Sequence, residues 1–308
     1  MREFKIDFNK TLKPAVIIYT AFILVGVICA LIFGVNLDIN FSGGAKISYS
    51  YVGDITEKEI EDTAKTVLDK SFTVSKSTAI AGDSKTFEIS LVGKDALTSE
   101  DQEALTKAFE EKFPDAKTEL YDVNSVSPSV AGTFFAKCML AVLITAVLVI
   151  VYVGFRFRRI GGVSAGITAF LALILDVLVT FFTCVIFGLQ IDLNYVAVVL
   201  TILGYSLNDT IVIYDRVREN EKLEPHNEIG DTVNKSINQC LIRNIVTSLT
   251  TFLAVMTIVV VSEMFGLTSL RTFAIPMAFG LISGGISSVF VSGPVWVLWK
   301  RYRAKKAK

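Results

Sequence analysis

Histidine occurs once in the 308 residues, at His226, and the four cysteines, Cys29, Cys138, Cys184 and Cys240, are scattered with no C-x-x-C pair. That spacing offers neither a metal site nor a disulfide framework, so these cysteines are expected to be small buried hydrophobes. No G-x-x-x-x-G-K-[ST] loop, no G-x-S-x-G elbow and no basic stripe interleaved with aromatics is present. ATP hydrolysis and nucleic-acid binding are thereby disfavoured, and no cofactor is expected. If the protein is energised, the source is an ion gradient. Arginine is missing altogether between residues 36 and 128, and charge is scarce in several long apolar runs.

Those runs dominate the rest of the chain. Apolar residues make up 52% of the sequence and mean hydropathy is +0.55, which indicates an integral membrane protein. Six stretches reach the roughly 20 residues needed to cross a bilayer: 14–33, 133–153, 164–187, 193–214, 244–261 and 273–298. The first follows a basic leader but has no A-x-A site, and Ile28 before Cys29 is a poor residue for lipoprotein cleavage, so it reads as an uncleaved anchor. The expected organisation is an N-terminal segment (1–13), a first span (14–35), a hydrophilic insert (36–128), five further spans (129–299) with a loop at 215–242, and a basic tail (300–308).

The net charge of zero conceals an asymmetry. The insert carries 18 Asp and Glu against 10 Lys, which leaves 12 acidic and 20 basic residues elsewhere. Cations cluster before the first span (Arg2, Lys5, Lys10, Lys13), at Arg156, Arg158 and Arg159, from Arg216 to Arg243, and in the tail from Lys300 to Lys306. The positive-inside rule puts all four clusters and both termini in the cytoplasm and the insert outside; Arg271 alone disagrees.

Between Ala45 and Val126 the periodicity changes. Strands are expected at 45–52, 72–79, 86–92 and 117–126, and helices from Thr56 to Lys70 and from the N-cap Thr98 to Pro114, with a turn at Gly82-Asp83. The order βαββαβ predicts a ferredoxin-like α+β domain between the first and second spans. It is either a stabilising external domain or a surface that touches a substrate.

The fourth span holds the most informative residues. Asp209 lies in Asn208-Asp209-Thr210-Ile211, inside an apolar run, and an Asp at the centre of a membrane helix costs roughly 2.5–3.5 kcal/mol. Intramembrane carboxylates commonly mark ion or proton paths. Asn194, Thr201, Gly204, Tyr205, Asn208, Asp209 and Asp215 recur at helical spacing and form a stripe; Arg243, Thr247, Thr250, Thr251 and Ala254 form another on the fifth span. Asp176, midway along the third span, is a second intramembrane carboxylate. Low dielectric penalises its charged form and a neighbouring guanidinium favours it, so an Asp209–Arg243 pair is a candidate ion relay with Asn208, Asp176 and Thr247. Each residue also has a plainer role: Asp209 and Asp176 as packing contacts between helices, Arg243 as a cation reaching the headgroups. Gly280, Gly284 and Ser288 repeat at four-residue spacing on the sixth span, between Pro276 and Pro294 as expected bends, and predict close packing or a hinge.

Three stretches together resemble the SecF family of the bacterial Sec protein-export machinery, relatives of the resistance-nodulation-division transporters. They are Asp38-Ile39-Asn40-Phe41-Ser42-Gly43-Gly44, then Gly204 to Val212 with Asp215 to Asn220, and Arg243 to Thr251. The middle stretch is the specific one. The resemblance implies that Asp209 is the proton carrier of the fourth helix and Arg243 its partner, that Gly43, Gly44 and Gly204 serve packing or hinge roles, and that the external domain engages emerging polypeptide. It also implies a non-enzymatic subunit of the inner membrane that works with SecD as a separate chain. Together they would assist the SecYEG channel, using a proton or sodium motive force to promote export of a preprotein. Three positions depart from the family pattern: Leu175 where His often precedes the third-helix Asp, Asn40 where Asp is common, and Ser127-Pro128 for a frequent Gly-Pro. The competing classes are a half-transporter exporting lipids or small molecules, an intramembrane aspartyl protease using Asp176 and Asp209, and a structural scaffold.

Overall fold

The computed structural model describes residues 6–68, 72–78, 85–92 and 98–306. Helix α1 (Phe8–Phe33) leads through a one-turn helix α2 (Ile39–Ser42) into the insert, built from β1 (Gly44–Tyr51), α3 (Glu57–Val67), β2 (Phe72–Thr78), β3 (Lys85–Val92), α4 (Ser99–Lys112) and β4 (Glu119–Val126). Helices α5 (Pro128–Arg156), α6 (Gly162–Ile186), α7 (Leu193–Leu223), α8 (Ile229–Phe265) and α9 (Thr268–Ser287) follow, and a π-helical turn (Ser288–Ser292) joins α9 to α10 (Gly293–Lys306). With α9 and α10 counted as one rod, six helices are long and apolar enough to span a bilayer among the described residues.

All four strands pair antiparallel in the order β2-β3-β1-β4, the split-βαβ arrangement of the ferredoxin-like fold. Period-two patterning sets the register: Ile47, Tyr49 and Tyr51 turn to the helices, with Ile47 opposite Ile89 and Tyr49 opposite Phe87. Ile60 and Ala64 of α3 and Leu105 and Phe109 of α4 complete the core. Stacked Tyr49 and Phe87 (5.2 Å) and tilted Phe87 and Phe109 (5.0 Å) fill its centre. Both helices open on reciprocal capping boxes, Thr56 with Glu59 and Thr98 with Asp101. Hydrogen bonds from the backbone and then the side chain of Thr56 hold the Glu59 carboxyl below its usual range. Ala104, whose spacing suggests the inner face of α4, is exposed, and β4 begins at Glu119 because Lys117 adopts a left-handed turn (φ 43°). The Gly82-Asp83 turn, Lys70 and Ala79 lie outside the described residues.

In the helical part, α6, α7 and the α9–α10 rod form the interior, while α1, α5 and α8 leave most of their apolar side chains on the outside. This is the distribution expected where lipid, or another subunit, replaces water around the bundle. Helix α1 starts at Phe8 rather than near Pro14 because α8 caps it: Asn234 Oδ1 accepts from Phe8 N (2.8 Å) and Asn238 Oδ1 from Ile6 N (3.1 Å). The segment expected as a loop at 215–242 is a helical hairpin turning only at 224–228. Asn220 Nδ2 donates to Ser236 Oγ (2.8 Å) and Gln239 Oε1 (2.9 Å), and Lys235 pairs with Glu224 (2.6 Å), which holds its two arms together. Pro294 does disrupt the last rod. It lacks an N–H and its ring collides with a carbonyl four residues back, and the π turn directly precedes it.

The insert is joined to the bundle at two places. Gly43 sits at φ +78°, where a Cβ would lie 2.8 Å from Pro128 Cα, so the strand entering the domain and the helix leaving it touch backbone to backbone. Phe41 packs against Phe134 and Phe135 (5.8 and 5.9 Å) beside this junction. Nearby, Leu37 and Ile191 form a parallel bridge, with Asp38 N donating to Ile191 O (3.0 Å) and Ile191 N to Asn36 O (2.8 Å). The connector after α1 is thereby tied to the start of α7.

Candidate functional site

Asp176 is fully buried at the middle of α6 and is held by three hydroxyls from two other helices. Ser206 Oγ of α7 and Ser287 Oγ of α9 donate to Oδ2 (2.6 and 2.9 Å), and Ser283 Oγ of α9 donates to Oδ1 (2.6 Å). Tyr19 of α1 closes the cluster, donating to Ser283 O (2.9 Å) and lying 3.1 Å from its Oγ. Four helices thus meet at one carboxylate. They can do so because the facing side chains are small: a Cβ at Gly280 would lie 2.0 Å from Ile202 Cδ1, and one at Gly284 would lie 3.0 Å from Ser206 Cβ. Gly280 and Gly284 lie where α9 approaches α7 closely.

Asp209 stands one turn beyond Ser206 on α7 and is 2% exposed. Its Oδ2 accepts from Ser248 Oγ of α8 at 3.4 Å, a long contact. Among the described residues no cation lies within ion-pair distance of it; Arg243 is exposed, and Thr247 Oγ1 donates to the Arg243 carbonyl (2.8 Å). The two carboxylates share no hydrogen-bond partner, and their serine-only surroundings differ in strength: three short contacts at Asp176 against one long contact at Asp209.

The remaining sequence candidates separate by face. Asn208, Gly204 and Thr201 are exposed on α7, and Thr250 is exposed beside Arg243 on α8. A Cβ at Gly204 would meet nothing within 4 Å. The polar stripe of α7 is thus split: Ser206 and Asp209 face the interior, while Thr201, Gly204 and Asn208 form a small-residue polar surface on the outside of the bundle. Asp215 lies at the basic end, paired with Arg156 (3.0 Å) and Arg218 (2.9 Å). Arg271, the one cation out of place by charge counting, is paired with Glu263 at 2.9 Å.

A second, separate group of hydroxyls lies nearer the basic end. Tyr214 OH, fully buried, lies 2.9 Å from Thr168 Oγ1 and 2.8 Å from Ser292 Oγ in the π turn, and Trp296 Nε1 donates to Ser164 Oγ (3.0 Å). π-helical turns recur at functional sites. Sequence patterning missed Ser283, Ser287, Tyr19 and Ser248. The available signal was the pair of hydroxyls at i and i+4 on the same small-residue span, one position off the Gly280-Gly284-Ser288 stripe. Among the described residues no cluster of His, Cys, Asp and Glu could hold a metal ion, and the four cysteines are free.

Comparison with known proteins places this architecture. Residues 105–302 match the model of the protein export membrane protein SecD/SecF C-terminal family. The protein translocase subunit SecF of Alicyclobacillus acidocaldarius is 33% identical over 93% of this chain and 90% of its own length. SecDF of Bacillus subtilis is 32% identical over 98% of this chain, which spans 39% of that longer protein. The crystal structure of SecDF, a translocon-associated membrane protein, from Thermus thermophilus superimposes with a TM-score of 0.77 at 27% identity over 97% of this chain; the match occupies 39% of that chain. Six membrane helices, an inserted four-stranded α+β domain, and relatives that match over nearly the full chain make this a multi-pass bacterial membrane protein that belongs to the SecD/SecF family of protein export membrane proteins.

Proposed function

We propose that the chain is a SecF-type accessory subunit of protein translocation. In this reading it acts with SecD, as a separate polypeptide, beside the SecYEG channel, and uses a proton or sodium gradient to promote outward movement of a preprotein without covalent chemistry. The observation that carries this reading is a pair of buried intramembrane carboxylates, Asp209 and Asp176, with hydroxyls but no cation in contact among the described residues. Such groups are costly in a bilayer and mark ion paths. The names of the SecF and SecDF relatives supply the process.

Asp209 is the carrier in this proposal. Its single long contact to Ser248 leaves it free to exchange an ion, whereas Asp176, held by three serines, acts as the fixed member around which α6, α7 and α9 turn. Arg243, with Asn208 and Thr247 nearby in the motif, approaches Asp209 in one state and withdraws in the other. A unit charge crossing the membrane potential is worth about 2.3 kcal/mol per 100 mV, enough to bias two states a few kcal/mol apart. The exposed polar face of Thr201, Gly204 and Asn208 supports a neighbouring subunit there, because polar surface is unfavourable against lipid.

The basic helix ends support cytoplasmic termini in the inner membrane, with residues 36–128 outside. Those ends meet at one pole of the bundle, where Arg156 binds Asp215 and Arg301 binds Glu228 (2.5 Å). The decisive experiment replaces Asp209 with Asn in the chain as it assembles in membranes. The complex should form normally while secretion of a reporter precursor falls toward that of a strain lacking the subunit. Undiminished secretion would remove Asp209 from the mechanism.

A further inference from the structure

A polar cavity of about 610 Å³ lies between the insert and the outer ends of the membrane helices. Its roof is the helix-free face of the sheet, through Lys46, Glu88, Ser90, Thr73 and Ser75. Val74 and Lys76 line it as well, although the alternation of a strand turns their side chains to the opposite face. The cavity therefore wraps round the backbone of β2. That strand is a terminal member of the sheet, so its outward N–H and C=O groups have no strand partner among the described residues. The floor includes Asp192, the N-cap of α7, and Arg271 at the start of α9.

We propose that this cavity receives an extended stretch of polypeptide, which adds to the free edge of β2 as a further strand. The inference rests on the protein-export reading above and names the surface that meets the exported chain. Backbone groups on a sheet edge are satisfied by another extended backbone, whatever its side chains. The four cavity-lining residues of β2 span about 13 Å at ~3.3 Å per residue. The lining carries Asp38, Glu57, Glu88, Asp192 and Glu263 against Lys46, Lys76 and Arg271; Lys46 pairs with Glu88 (2.5 Å) and Arg271 with Glu263 (2.9 Å), which leaves the walls mildly acidic. Recognition through backbone groups on the edge tolerates many side-chain sequences, as an export subunit requires. The opposite edge, β4, has no further strand beside it among the described residues either, but it faces open surroundings and its pairing with β1 is shifted by an irregularity at Ser48 and Tyr49, a device that discourages edge pairing. An occupant of the cavity would rest on the outer end of α7, the helix that carries Ser206 and Asp209.

The test places a photoreactive residue singly at Thr73, Ser75, Tyr121 or Asp122 of the full chain, assembled with its partner subunit in membranes, and stalls a secretory precursor in transit. Crosslinks to the precursor from Thr73 and Ser75, with only background from Tyr121 and Asp122 on β4, are the expected result. Crosslinks confined to β4, or none from β2 in assembled complexes, would overturn the docking site. Because secretion by the Asp209→Asn variant is measured separately, loss of this site would leave the export reading standing, and normal secretion in that variant would sink the export reading whatever the crosslinks show.

Discussion

Replacing Ser283 with Ala removes one of three hydroxyls from Asp176 while leaving Tyr19 its bond to the Ser283 carbonyl (2.9 Å). Two magnitudes compete. Hydrogen bonds between neutral groups on different membrane helices average about 0.6 kcal/mol and reach about 1.7, whereas bonds to a charged group are worth about 1.5–3 kcal/mol. The Ser283 to Asp176 separation of 2.6 Å fits either kind of O–H···O bond, and the two ranges meet at about 1.5 kcal/mol. We therefore expect Ser283→Ala to destabilise the folded protein by about 1.5 kcal/mol, and the loss to shrink to a few tenths of a kcal/mol when Asp176 is already Ala. The assay is a double-mutant cycle on Ser283→Ala and Asp176→Ala, read from reversible unfolding in lipid bicelles. Unconnected sites add within about 0.3–0.5 kcal/mol. A coupling energy inside that limit would show that the serine cluster is incidental to Asp176, and the assignment of Asp176 as the fixed point of the bundle would fail with it.

Gly280→Ala forces a methyl group to within 2.0 Å of Ile202 Cδ1; overpacking of this kind costs about 1–3 kcal/mol. Thermal unfolding should show the loss, and Ile202→Ala in the same chain should recover part of it. In the insert, Glu59→Gln should weaken hydrogen-exchange protection of α3 at neutral pH. Glu59 is depressed below its ordinary 4.5 in the folded state. Its contribution is then fully present above that value and lost as pH falls through the lower folded one, so wild type and variant should converge in acid. A difference that persists at low pH would assign the effect to the shape of the side chain rather than its charge.

Much of the architecture can be read from local pattern. The run lengths around Ala141, Leu173 and Val255 suffice to name membrane helices, because a bilayer admits little else. Period-two alternation at Ile47, Tyr49 and Tyr51, with Thr56 and Thr98 as caps, suffices for the βαββαβ order. Edges were harder. The start of α1 depends on Asn234 and Asn238 more than 200 residues away, and the hairpin at 215–242 depends on Asn220 meeting Ser236.

The candidate site divides in the same way. A carboxylate at position 176 or 209 is conspicuous in any apolar run, since its cost in hydrocarbon does not depend on what surrounds it. Its partners do not follow from that cost. Ser206, Ser283, Ser287 and Tyr19 come from three helices, and only the tertiary packing brings them to Asp176; the same packing leaves Arg243 and Asn208 exposed while Asp209 is buried. Composition and periodicity thus determined that this chain crosses a membrane six times and carries two acids inside it, because both follow from solvation along the chain. Which hydroxyls hold each acid, and which stripe is left for a neighbour, was decided by how the helices cross, because hydrogen bonds between helices depend on distance in space and leave no period in the sequence.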